Sequence, residues 1–140
     1  MDIVRLLHSW VRWLVVLAAV LNIAYFAVAW LRSRPYDATA RRVISLFAGL
    51  ISLQWLLGVI LLIVFGSQTG FGVRHYWEHL TMMTLAVFVA NGPNMLRRRQ
   101  LTDAQRALVN VICTLVVIVL VIVGISLLPE AIRWRFLSPA

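Results

Sequence analysis

The residues in this chain that can act as ligands or proton carriers are few and unevenly placed. Of three histidines, two fall in the run Arg74-His75-Tyr76-Trp77-Glu78-His79-Leu80-Thr81-Met82-Met83, beside Glu78, one of only five acidic residues. The third, His8, stands in Leu7-His8-Ser9, shortly before Arg12. Both runs open long apolar stretches. An ionisable group at the mouth of a membrane helix is costly to bury, so it normally has a partner or a function. Neutral imidazole ligates transition metals through either ring nitrogen, and a neighbouring group selects which one. At helical periodicity Arg5, His8 and Arg12 share one face, and His75, Glu78, His79, Met82 and Ala86 share another.

The elements that must hold these groups are apolar helices. The chain has 140 residues, of which 62% are hydrophobic, with a mean hydropathy of +0.91. Soluble domains average about 45–50% apolar residues. Four stretches, residues 10–31, 43–65, 77–96 and 107–128, reach the ~20 residues needed to cross a ~30 Å hydrocarbon layer. The expectation is an all-α integral membrane protein, an up-down four-helix bundle, with a single transmembrane domain over residues 1–140. The N-terminal apolar run is too long, and too interrupted by Trp and Arg at its start, for a cleavable signal peptide.

All 13 basic residues are arginine, and the net charge is +8. The arginines flank the apolar stretches, where they act as topology signals and headgroup anchors rather than as a nucleic-acid surface. Eight lie in the first and third connections (32, 34, 41, 42, 97, 98, 99 and 106) and five on the other side (5, 12, 74, 133 and 135). The positive-inside rule then puts both connections in the cytoplasm and both termini outside. Cys113 is the single cysteine, so no intrachain disulfide forms.

Local signals refine the helices. Pro35 closes the first, and Asp37-Ala38-Thr39 offers a cap for the second. Residues 66–72 read as a glycine-rich connector without the spacing or preceding strand of a phosphate loop. Asn91-Gly92-Pro93-Asn94 is expected to kink or fray the third helix. Thr102 and Gln105 fit a capping box. Pro129 ends the fourth helix, and the charged, aromatic stretch 130–136 is expected at the membrane interface. Asn22 and Gln54 are buried polar groups inside spans. For Gln54 a helix–helix hydrogen bond is favoured over a ligand contact.

In an up-down bundle the first and third helices run in the same direction and their inward faces meet. His8 and His79 then lie at similar depth, placed to occupy both axial positions of a haem iron. Arg5, Arg12 and Arg74 stand close enough to pair with the propionates, since guanidinium–carboxylate bonds are strong where water is scarce. Ala18, Ala19 and Ala86 leave room for a flat ring.

Leu7-His8-Ser9 with Arg12-Trp13, Leu53-Gln54 with Leu57-Gly58, and Glu78-His79 with Met82-Met83 resemble a group of small four-span bacterial membrane proteins labelled cytochrome b or cytochrome b561-like. The resemblance covers the first three helices. It implies a bacterial inner membrane, haem b, and site residues His8, Arg12, Gln54, Glu78 and His79. With three histidines, at most one bis-histidine haem fits. The expected role is electron transfer between quinol and another redox protein, as a carrier or a subunit of a larger membrane redox complex or homo-oligomer, not as a stand-alone enzyme. Two other readings compete. His75-x-x-Glu78-His79 matches an inverted zinc-protease pattern, which makes His75 and Glu78 alternative metal ligands, with His8 or Glu130 completing a zinc, copper or nickel site. Alternatively the chain is an accessory subunit of a respiratory or photosynthetic assembly, and its polar groups merely satisfy one another.

Overall fold

The computed structural model describes residues 2–133. Four α-helices follow in order: α1 (Asp2–Leu31), α2 (Ala38–Thr69), α3 (Arg74–Met95) and α4 (Asp103–Ser126), with 3-10 turns at Leu96–Arg98 and Glu130–Ile132. Among the described residues the fold is all-helical, without a strand. Each helix begins before its apolar stretch does. α1 already starts at Asp2, so His8 and Arg12 belong to regular helix. Of the tail 130–136, residues 134–136 lie outside the described residues.

The caps follow from side-chain chemistry. The Asp37 carboxylate accepts from the Ala40 N–H at 3.0 Å and opens α2. Thr102 and Gln105 satisfy each other's backbone N–H groups in a capping box that opens α4. The connector expected over 66–72 is shorter than that, because α2 stays helical through Thr69. Gly70 ends it in the left-handed conformation (φ 74°), its N–H bonded to the Gly66 carbonyl, a geometry glycine adopts without strain. The Phe71 ring lies over Gly66, where a Cβ would collide with it. At the far end of α3 the α-helix continues through Pro93 to Met95, then tightens into the 3-10 turn. Arg106 secures that end, its Nη2 donating to the carbonyls of Arg97 and Arg99.

The helices form a ring in which α1 and α3 each pack against both α2 and α4. A side-chain hydrogen bond lies at each of the four seams. Gln54 Nε2 lies 3.2 Å from His8 Nε2 between α1 and α2. Trp55 Nε1 donates to Thr84 Oγ1 (2.9 Å) between α2 and α3. His79 Nδ1 reaches the Gly124 carbonyl (2.8 Å) between α3 and α4. Asn22 Nδ2 donates to Thr114 Oγ1 (2.7 Å) between α1 and α4. Polar bonds of this kind hold helices together where no hydrophobic force between them exists. Arg5 near the start of α1 meets Phe65 near the end of α2, and His79 near the start of α3 meets Gly124 near the end of α4, so these neighbours are antiparallel.

The half of the bundle nearest the arginine-rich connections is solid. Phe26, Ile44, Phe47, Ala90, Ala107 and Val117 fill it. Large apolar side chains such as Leu17, Leu21, Leu46, Ile63, Phe88 and Val119 are instead exposed on the outward faces. Three helices, α1 from Ile3, α2 and α4, are long and apolar enough to cross a membrane. Apolar outer faces of this extent belong in a bilayer. α3 is comparably long, with 22 residues, but carries Arg74, His75, Glu78, His79, Asn91 and Asn94.

Candidate functional site

The other half of the bundle, toward the chain termini, encloses a cavity of about 320 Å³. Ligand pockets typically measure ~300–1,000 Å³. Helical spacing builds its walls: Arg5, His8, Arg12 and Val15 form one stripe of α1, and Gln54, Gly58, Leu61 and Phe65 one stripe of α2. His79 and Met83 come from α3, Val121 and Ile125 from α4. The wall is mainly apolar, with the polar groups gathered on one side. None of its described residues is acidic. At the opposite end of the bundle, a void of about 10 Å³ beside Tyr36, Pro93 and Asn110 has room for one water at most.

The two imidazoles are held differently. His79 is tied to α4 through the Gly124 carbonyl. A carbonyl only accepts, so Nδ1 carries the proton and Nε2 keeps its lone pair. This arrangement, with one ring nitrogen bonded to backbone, is how protein ligands to metals are commonly oriented. No side chain at position 124 would be accommodated easily, because a Cβ there would lie 3.1 Å from Met82 Cβ and 3.6 Å from His79 Nδ1. His8 leans on α2 instead. Its Nε2 meets Gln54, and a Cβ at Gly58 would lie 3.3 Å from its Cε1. His8 Nδ1 and Gln54 Oε1 are buried without a hydrogen-bond partner. Buried polar atoms left this way call for a partner such as a water, an ion or a ligand. The two rings lie within electrostatic reach of each other, and Arg12 within reach of both.

The cations on α1 have aromatic neighbours. The Arg5 guanidinium sits 4.3 Å above the Phe65 ring, and that of Arg12 5.5 Å from Trp13. The structure thus gathers His8, Arg12, Gln54 and His79 around one space. It does not bring Arg74, Glu78 or His75 there. Arg74 is 90% exposed and pairs with Glu78 along the outside of α3. His75 stacks edge-on against Tyr76, ring centres 4.4 Å apart. Helical geometry explains this for Glu78, which is one residue from His79 and points about 100° away from it; His75 lies a full turn nearer the start of α3, outside the cavity lining. Glu130 is exposed in the final 3-10 turn. Among the described residues, no three His, Cys, Asp or Glu side chains gather as a metal site, so the pattern His75-x-x-Glu78-His79 is not assembled with a third ligand.

Gln54 makes the helix–helix contact favoured for it, to His8, and it also lines the cavity. The Gly124 carbonyl carried no signal, because a backbone acceptor inside a Val/Ile-rich helix looks like any other. Phe65 carried none either, whereas Gly58 entered only as part of the Leu57-Gly58 piece of the resemblance, without its contact to His8.

Fold and site together define a class: a helical bundle with membrane-spanning helices, hollow at one end, its cavity lined by two imidazoles and two guanidinium groups. No family model, no curated protein and no solved structure matches the chain.

Proposed function

We propose that this protein is a four-span membrane cytochrome of b type, binding one haem in the cavity between α1 and α3 and passing single electrons. The observation that carries the reading is the pair His8 and His79, contributed by separate helices to one largely apolar cavity. The residues fit such a group. His79 offers a bare Nε2 with its other nitrogen already bonded, and the Nε2 lone pair of His8 is held only by the Gln54 side-chain amide. Arg12, with Arg5 near the mouth, supplies positive charge for propionates, and no carboxylate among the described lining residues opposes it. When bound, the haem supplies a one-electron iron couple. The protein's part is to fix the imidazoles, exclude water and set the potential through burial and hydrogen bonding.

Connectivity supports a fourth crossing. α2 and α4 run in the same direction, and α3 returns the chain between them. Its 22 residues reach about 33 Å at 1.5 Å per residue. Two of its polar groups face neighbours, Thr84 bonding Trp55 and His79 bonding Gly124, while Arg74 and Glu78 pair at its first turn. With the arginine-rich connections in the cytoplasm, the cavity opens toward the outer face of a bacterial inner membrane. A quinol in the lipid is the natural electron source there, and a larger membrane redox complex the natural acceptor.

The test is a reduced-minus-oxidised optical spectrum of protein purified from membranes. It should show b-type bands, lost in both His8→Ala and His79→Ala. A colourless protein that takes up no haemin and co-purifies with a larger assembly would replace this reading with that of an accessory subunit.

A further inference from the structure

His8 is turned toward its own neighbour helix rather than across the cavity. Gln54 lies 3.2 Å from Nε2, and the Cε1 edge rests where a Cβ of residue 58 would stand, 3.3 Å away. Both contacts are on α2, one helical turn apart, while His79 is on α3. His79 needs no such rearrangement, because its acceptor on α4 is a fixed backbone carbonyl. The leftover polar atoms at this contact, His8 Nδ1 and Gln54 Oε1, make the docked arrangement an incompletely satisfied one.

We infer that Gln54 and Gly58 form a dock on α2 that holds His8 by its Nε2 edge, so that a ligand seeking this nitrogen must displace Gln54. The two imidazoles are therefore unequal: His79 is preset and His8 is released from its dock. Gln54 acts through His8 and is a positioning residue. The haem reading enters only in naming the competitor; the dock itself concerns groups of this chain alone.

The experiment uses the full chain in lipid nanodiscs, free of haem, with ¹⁵N-labelled histidine. In Gln54→Leu, which keeps the bulk and removes the amide, the His8 ring nitrogens should shift while those of His79 stay in place. Gly58→Ala, which closes the slot without touching the amide, should move the same signals. Unchanged His79 signals report that the bundle is intact in both variants. Titration with haemin should then show Gln54→Leu binding roughly two- to tenfold more tightly than wild type, the factor expected when one hydrogen bond no longer has to be broken. His8 signals unmoved by both substitutions would overturn the dock, as would weaker haemin binding in Gln54→Leu. If haemin binds none of the proteins, the haem reading fails while the nitrogen shifts still decide the dock.

Discussion

The bond between Asn22 and Thr114 is the sharpest test of the packing. Both side chains are 1% exposed in the solid half of the bundle. Asn22 Nδ2 donates to Thr114 Oγ1, and that hydroxyl donates onward to the Asn110 carbonyl. Thr114→Val is close to isosteric and strands the Asn22 amide donor, adding to an Oδ1 that already has no partner. A stranded buried donor costs about 1–3 kcal/mol, and interhelical bonds measured in membranes average about 0.6 and reach about 1.7 kcal/mol. The expected loss is therefore about 1–2 kcal/mol. Asn22→Leu removes both donor and orphaned acceptor and leaves Thr114 bonded to its own helix, so it should cost under about 0.5 kcal/mol. The double variant should be no worse than Asn22→Leu alone, giving a coupling of about 1 kcal/mol, roughly fivefold in the unfolding equilibrium. Reversible unfolding in bicelles measures all four proteins. Two single effects that simply add to within about 0.3 kcal/mol would refute the assignment of this bond as the α1–α4 fastener.

Three further outcomes follow from named contacts. Gly124→Ala should destabilise by about 1–3 kcal/mol through overpacking and weaken haemin binding, because its Cβ would sit 3.1 Å from Met82 Cβ and force α3 from α4 beside His79; the same unfolding assay and a haemin titration check it. Glu78→Gln should change stability by less than about 0.5 kcal/mol and leave haemin titration unaltered, since the Arg74–Glu78 pair lies along the outside of α3. Gly70→Ala should cost about 1 kcal/mol in thermal unfolding, as alanine must adopt φ 74° at the α2 C-cap.

Much of this architecture is legible in the chain. Apolar runs of membrane length mark helices because a bilayer leaves no other way to satisfy the backbone of a single segment. The Asp37 cap and the Thr102–Gln105 box are local chemistry, settled within a few residues. The boundaries were harder. Apolar content stops where lipid stops, but α1 and α2 extend past it, since a helix needs only backbone bonds and a cap to continue. Pro93 is buried and lies inside the last turn of α3, and the α-helix gives way to a 3-10 turn only after Met95.

The residue types alone determined that this is an all-helical protein made for a bilayer, and that its few imidazoles belong to the ends of two helices. Which polar groups share a space was decided only when four helices closed into a ring. Helical rotation separates Glu78 from His79, and the rotation of α2 sets Gln54 and Gly58 against His8. Hydrophobicity reports how deep a residue sits along a helix axis, whereas facing is an angle about that axis. In a helix apolar on every side, only contact with its neighbours sets that angle.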